Sequence, residues 1–383
     1  MKILKILKEG VALTLLTALV ISFAFGVYTL DMGEEKGEDK NALPDGDEPD
    51  IPVFSVPDEF TLGDIVDVSR DEYTYEEMEV DLLELAEKYP RLLRVASAGK
   101  SLDGREIYYA DLGDPNAPRS IMINSGIHGR EYMTPLLIMK QLEYHLENYE
   151  KTDETGECFA ESFSGLLIRI VPMINPDGIA LSQKGIGGLR SEELRGTVER
   201  IYLSDRTKYD SYKKYQSIDD YLKFWKANAH GVDLNRNFGI DYWETLKTGI
   251  PQPSAQKYKG EAPNSEPESQ ALIALTQSLT GLCASVSIHS QGEIIYWDCG
   301  QTDASRVATW ELCYAISKEN GYRPYIDFEH PDATYNDWCV LELGVPSVNV
   351  ETGNEKCPLP IEQFEEIWTR NLGLWTAVAE LYK

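Results

Sequence analysis

An apolar run at 120–127, Ser-Ile-Met-Ile-Asn-Ser-Gly-Ile, gives way across one short turn to an apolar-periodic segment at 136–146. Such a passage is a buried strand handing over to a helix, with Thr134 as the expected cap and Pro135 in the first helical turn. It constrains the architecture more than any other stretch, because a strand apolar throughout must be covered on both faces. The turn itself reads Gly126-Ile127-His128-Gly129-Arg130-Glu131. An imidazole nitrogen and a carboxylate three residues apart can converge on one zinc ion that finds a third ligand elsewhere and keeps an open position, a catalytic rather than a structural arrangement. Alone the pair is a weak signal, since five histidines among 64 acidic residues place some acid near some histidine by chance.

With 383 residues and 42% hydrophobic content, the chain can bury a large core as two domains or as one large α/β domain. A formal net charge of -28 argues against nucleic acid as a partner and against adsorption to anionic membranes, because both are negatively charged. Residues 1–30 differ in kind: Lys2, Lys5 and Lys8 precede an uncharged run at 11–30, with Ala24 and Gly26 spaced as at a cleavage site. As a helix that run is about 30 Å long, enough to span a bilayer. It is read as a signal peptide or a retained N-terminal membrane anchor, with a buried core helix as a third option. Under either of the first two readings the rest of the chain is extracytoplasmic, secreted or tethered, because the lysines stay inside.

Residues 31–59 read as an acidic disordered linker, and 60–383 as one globular domain. Met78, Leu82, Leu83 and Leu85 form the first helical stripe, ending at Tyr89-Pro90. Apolar runs at 107–112, 120–127, 166–174, 284–289 and 346–351 then alternate with helical or loop segments. That order predicts an α/β fold with a mixed, mostly parallel central sheet flanked by helices, with chemistry at the carboxyl ends of the strands. The stretch 190–221 is polar, Tyr-rich and weakly periodic, either a wall of the cleft or a plain surface insertion. A docking helix is expected at 361–381. The six cysteines show no C-x-x-C pair, which speaks against a cysteine zinc site and permits disulfides without requiring them.

Three further stretches answer the first: Val171-Pro-Met-Ile-Asn175-Pro176-Asp177-Gly178, His230-Gly231-Val232-Asp233-Leu234-Asn235-Arg236-Asn237-Phe238, and Ser285-Val286-Ser287-Ile288-His289-Ser290. Together with 126–131 and the final Val350-Glu351-Thr352-Gly353, their order and spacing resemble the zinc carboxypeptidase family from about residue 73 onward. The resemblance implies a zinc peptidase catalytic domain at 60–383 holding one zinc ion through His128, Glu131 and His289. It implies that Asp233 accepts the proton of the far nitrogen of His128 and fixes its tautomer. Asn235 and Arg236 would hold the free carboxylate of a peptide substrate, the arginine through forked hydrogen bonds, and Arg130 would line the cleft across the scissile bond. Glu351 would be the general base, with Asp337-Trp338 at the family's spacing before it.

Two departures narrow the expectation. Where the digestive enzymes carry a carbonyl-polarising arginine, this chain places Lys226, within Phe224-Trp225-Lys226-Ala227-Asn228, which can stabilise an oxyanion as a point charge. That segment resembles the bacterial branch that includes peptidases cutting γ-D-glutamyl to diamino-acid bonds of cell-wall stem peptides. The tyrosine that covers substrate in the family would fall on Glu329, so the phenol must come from Tyr335, the preferred candidate, or from Tyr325, with core packing as the alternative for Tyr335. Asn336 stands where the pocket for the residue after the cut is tuned.

The expected protein is therefore an extracytoplasmic zinc peptidase acting next to a carboxylate-bearing terminal residue, with peptidoglycan stem peptides as the first substrate class. Polypeptide C-termini are the second substrate class, and a catalytically silent peptide-binding relative or a deacylase the competing functions. It is expected to be a monomer, to touch membrane only through its N-terminal segment, and to have no inhibitory prodomain. His145, His230 and His330 have no partner at metal-ligand spacing and are read as structural.

Overall fold

The computed structural model describes residues 56–153, 156, 158–326 and 332–383. The leader at 1–30 and most of the linker lie outside the described residues, as do Glu329 and His330. Among the described residues no helix is long and apolar enough to cross a membrane.

Eight strands form one sheet: β1 (Leu93–Lys100), β2 (Glu106–Gly113), β3 (Arg119–Ser125), β4 (Leu166–Val171), β5 (Leu282–His289), β6 (Ile294–Asp298), β7 (Arg323–Ile326) and β8 (Ser347–Glu351), in the order β1-β2-β4-β3-β5-β8-β6-β7. The four central strands β4, β3, β5 and β8 run parallel; β1, β2 and β6 join antiparallel, and β7 closes the edge parallel to β6. The expected mixed sheet is present, and β1, β6 and β7 are additional to the predicted runs. Those three lie outside the central parallel group, where half-exposed strands lack the continuous apolar runs that mark fully buried ones.

The longer helices are α1 (Tyr75–Lys88), α2 (Met133–Glu147), α3 (Pro176–Lys184), α4 (Glu192–Lys208), α5 (Pro267–Gln277), α6 (Asp303–Asn320), α7 (Tyr335–Glu342) and α8 (Phe364–Asn371). A reciprocal capping box between Thr74 and Glu77 starts α1, which buries Tyr75, Met78, Leu82 and Leu85 and leaves Leu83 exposed, unlike the predicted stripe. Helix α2 begins one residue before the expected cap. Instead of capping, the Thr134 hydroxyl donates to the Glu131 carbonyl at 2.9 Å and accepts from the Gly126 amide at 3.3 Å, tying the turn to the helix. The predicted C-terminal helix is two, α8 and Leu374–Glu380, broken at Gly373 where the Glu319 side chain leaves no room for a Cβ.

Two of the packed clusters among the described residues bear on the site. Met122, Val171, Leu272, Leu275, Tyr335 and Trp338 belong to the cluster under α5 and α7. The stretch 190–221 is a second packed unit: Leu194, Val198, Ile201 and Tyr202 of α4 close on Tyr221, Leu222 and Trp225. Its weak periodicity hid a helix because buried Asp205 shares the inner face, accepting from Tyr221 Oη and Ser254 Oγ at 2.6 Å each. All six cysteines are free thiols.

Candidate metal centre and cleft

The parallel strands build the site. Asn124 of β3 pairs with Ser287 of β5, and His289 of β5 pairs with Glu351 of β8. The carboxyl ends of three strands far apart in sequence therefore meet at one sheet edge. Beyond β3 the chain reverses at Gly126, whose φ is +65 and where a Cβ would stand 3.0 Å from Pro135 Cγ and 3.2 Å from Met173 Cα. Gly129 is closer still, since a Cβ there would meet the Gly178 carbonyl oxygen at 2.3 Å and that of Trp225 at 2.8 Å. The 171–178 motif explains itself here. Asn175 Nδ2 donates to the carbonyls of Ile127 at 3.1 Å and Ala227 at 3.0 Å while Asn175 Oδ1 caps α3, so one side chain fastens the metal turn to the Lys226 loop.

His128, Glu131 and His289 are all buried, and their donor atoms lie within 4.8 Å of one another. His128 Nδ1 is 2.8 Å from Glu131 Oε1, and His289 Nδ1 is 3.1 Å from Glu131 Oε2. His128 Nε2 faces Asp233 Oδ1 at 3.3 Å, and Asp233 Oδ2 accepts the Lys257 amide at 2.8 Å. An Nε2–H donating to Asp233 leaves Nδ1 as an acceptor pointed at a carboxylate oxygen. Two acceptors face to face in a buried place suit a cation between them, and two imidazole nitrogens with one carboxylate oxygen are the donor set of catalytic zinc sites. These residues fit zinc.

The electrostatics agree. Burial pushes Glu131 up, but His128, Lys226 and His289 hold its carboxyl well below the usual range. Asp233, also buried, is held low by its hydrogen bond to His128 and by the Arg236 and Lys226 charges. Glu351 goes the other way: burial and the nearby Glu131 carboxylate push it up to about 7, against the pull of His289, Lys226 and Arg130. The Ser290 amide donates to Glu131 Oε2 at 3.3 Å, and Thr352 donates through both its amide and its hydroxyl to the His289 carbonyl, clipping the ligand strand to the base strand.

Lys226 Nζ is 3.5 Å from Glu131 Oε1. Asn235 and Arg236 form a short turn beside α7, with Asn235 Oδ1 accepting the Tyr335 amide at 3.0 Å. Arg236 turns one edge of its fork onto Asp332, Nη2 to Oδ2 at 2.7 Å. Tyr335 corrects the expectation of a covering phenol. It is the first residue of α7, 1% exposed, packed against Phe238 and Trp338, with its hydroxyl on Thr276 Oγ1 at 2.8 Å. An aromatic ring at that position fills the core and cannot cover the cleft. Tyr325 lies on β7 against Tyr296.

Asn336 is buried and donates through Nδ2 to Ser347 Oγ at 2.7 Å, leaving its Oδ1 without a partner. Asn124 Nδ2, Ser287 Oγ and Asn349 Oδ1 are likewise buried and unpartnered. The last three form a row across β3, β5 and β8, one strand step below His289 and Glu351. The sequence reading missed this row, although strand alternation signals it: Ser287 and Asn349 stand two residues before His289 and Glu351 and so share their face. Of the other histidines, His145 is stacked on Trp375 with its pKa lowered to about 4 by burial, and His230 pairs with Glu266 at 3.2 Å; both are apart from the metal cluster.

A zinc carboxypeptidase family model matches residues 78–373. The chain is 29% identical over 307 residues to gamma-D-glutamyl-L-diamino acid endopeptidase 1 of Lysinibacillus sphaericus, covering 80% of this chain and 72% of that one. It is 27% identical over 335 residues to the uncharacterized protein YqgT of Bacillus subtilis, covering 86% and 83%. Among solved structures, thrombin activatable fibrinolysis inhibitor shares the fold with a TM-score of 0.62 at 18% identity, over 83% of this chain and 79% of that one. With the match spanning the whole sheet, and with two imidazoles and a carboxylate converging at its edge, the chain belongs to the zinc carboxypeptidase family and is a zinc metallopeptidase.

Proposed function

We propose that the protein is an extracytoplasmic peptidase that hydrolyses the bond before a carboxylate-bearing terminal residue, with bacterial cell-wall stem peptides as its substrate class. When bound by His128, Glu131 and His289, zinc supplies a Lewis acid that polarises the scissile carbonyl and acidifies a water. Glu351 takes a proton from the attacking water on its carboxylate and returns it to the departing amine. The Lys226 ammonium, 3.5 Å from Glu131, stabilises negative charge growing on the carbonyl oxygen. Asp233 holds the His128 ring in its metal-facing tautomer. Asn235 and Arg236 grip the substrate's free carboxylate, for which Arg236 must give up Asp332, and Arg130 borders the acyl side. The basic and apolar composition of residues 1–30 supports placement outside the cytoplasm.

One observation carries the substrate class: Asn124, Ser287 and Asn349, in a row one strand step before His289 and Glu351, and Asn336, bound to Ser347, each keep a buried polar atom without a partner. An aromatic or aliphatic side chain would leave those atoms unsatisfied at a cost of about 1–3 kcal/mol each. A diamino acid, with an amine and a carboxylate at its far end, satisfies them. The relative named for γ-D-glutamyl to diamino-acid cleavage supports the same class. Incubation with a γ-D-glutamyl-diaminopimelate tripeptide, and separately with blocked Phe and Lys dipeptides, with and without a chelator, tests the proposal. Chelator-sensitive cleavage of the tripeptide at least tenfold faster is expected, and faster cleavage of the Phe dipeptide would refute it.

A further inference from the structure

The chain carries 64 acidic and 36 basic side chains, yet three basic groups around the Phe224–Lys226 loop are without acids. Arg130, Lys214 and Lys356 form no ion pair with a carboxylate of the described residues, and the buried Arg130 Nε has no hydrogen-bond partner. In so acidic a protein, three cations left free near one another mark a place kept for an anion that is not part of the chain.

The same place is floored with aromatic rings. Past α4 the chain returns through Tyr215 and Phe224, whose ring centroids are 5.6 Å apart, and Tyr215 is backed by Tyr221 at 5.8 Å. Lys214 Nζ sits 5.0 Å from the centroid of Tyr215, and Lys356 Nζ, arriving from the loop after β8, sits 4.3 Å from that of Phe224. Both walls are rooted at the metal ligands. Phe224 is two residues from Lys226, whose carbonyl accepts the Gly129 amide at 3.0 Å, directly before Arg130. Lys356 precedes Cys357, whose Sγ is 3.0 Å from Ser290 Oγ in the residue after His289.

On the proposed reading Asn235 and Arg236 serve the terminal carboxylate and the polar row across β3, β5 and β8 serves the last side chain, which leaves the aromatic shelf for the acyl part of the substrate. We infer that Arg130, Tyr215, Phe224 and Lys356 form a subsite for the residue that donates the scissile carbonyl, and that this subsite selects a free carboxylate on that residue. The inference rests on the peptidase reading above and deepens it. A glutamyl residue cleaved at its side-chain carbonyl keeps its α-carboxylate, which the unpaired cations receive while its carbon chain lies on the rings.

Two substrate pairs differing in one group test this: alanyl-γ-D-glutamyl-diaminopimelate with its glutamyl α-carboxylate free or amidated, and acetyl-Glu-Lys against acetyl-Gln-Lys. The enzyme is expected to prefer the free carboxylate by about tenfold in kcat/KM, mainly through KM and weakening with salt. In Lys356→Ala, a change on an exposed loop, the preference should fall below about threefold, and Lys356→Arg should restore it. Loss of cleavage in the first pair with the preference kept in the second refutes the cell-wall reading and leaves the subsite standing. Calorimetric binding of the same peptides to zinc-loaded Glu351→Gln protein repeats the comparison without turnover. Equal affinity within both pairs, or a preference untouched in Lys356→Ala, overturns the inference.

Discussion

Around Arg105 and around Glu131 the protein buries charge in two neighbouring places, and the two are wired in opposite senses. Arg105 Nη1 lies 2.7 Å from Asp103 Oδ2 and 2.8 Å from Asp177 Oδ1, while its Nη2 donates to the Gly188 carbonyl. Asp177 also accepts from Ser101 Oγ and the Asp103 amide, and Asp103 from the amides of Arg190 and Ser191. Each carboxylate oxygen there has a donor of the chain's own, so the acids are satisfied within the chain and fasten the β1–β2 loop to α3 and α4, although Arg105 Nε is left without a partner. Around Glu131 the nitrogens and oxygens face one another and share no proton donor but the Ser290 amide and Lys226. A closed network stabilises a fold, whereas a set of converging acceptors waits for a cation.

The comparison breaks most visibly at Glu351. Glu351→Gln in the zinc-loaded enzyme should lower kcat about 10³-fold with the melting temperature unchanged. In the parent enzyme kcat/KM should climb with pH as Glu351 loses its proton. That limb falls below pH 7 because a nearby dication favours the anion that burial disfavours. Arg105→Ala should do the reverse. It strands Asp103 and Asp177 as uncompensated buried charges, costing about 3–5 kcal/mol in denaturant unfolding, while the folded fraction still binds zinc one to one.

Glu268 sharpens the contrast. It is fully buried, accepts from the Leu102 amide and Asn228 Nδ2, and has its pKa pushed up to about 7 by burial and by Asp177. A carboxyl raised on folding holds its proton in the native state, so its contribution is whole below the unfolded value near 4.5 and is lost as pH rises through 7. The expected loss is about 3 kcal/mol over that window. In Glu268→Gln that pH dependence should vanish from urea unfolding curves, even though the amide opposes one of the two donors and lowers stability overall.

Smaller effects lie at the edges of the metal cluster. Asp233→Asn should weaken zinc binding about 10–100-fold in competition with a chromophoric chelator, since an uncharged amide offers one acceptor oxygen to two donors, His128 Nε2–H and the Lys257 amide. Asp332→Asn frees Arg236, and KM for peptides with a free terminal carboxylate should fall about two- to threefold with kcat unchanged.

Apolar runs marked four of the central strands because the parallel core is covered on both faces, and turn chemistry marked His128 and Glu131. The run at 107–112 marked β2 as well, whereas β1, β6 and β7 were silent because their faces are only partly covered. Tyr335 misled because a tyrosine before Asn336 and Asp337 looks the same whether its ring enters the core or the cleft. Only the start of α7 at Thr334 decides it. The role of 190–221 was equally unreadable, since an inner face that mixes Leu194 and Val198 with buried Asp205 has no clean apolar period.

What the amino-acid order determined alone is local: a strand, a glycine reversal and a helix presenting one imidazole and one carboxylate, and polar residues alternating with apolar ones toward His289 and Glu351. What tertiary structure decided is every meeting between segments. Parallel pairing of β3, β5 and β8 brings residues 128, 289 and 351 to one edge. Packing of the excursion sets Phe224 and Lys356 against each other. Periodicity along a chain encodes which face of an element is buried, but nothing in it encodes which distant element will cover that face.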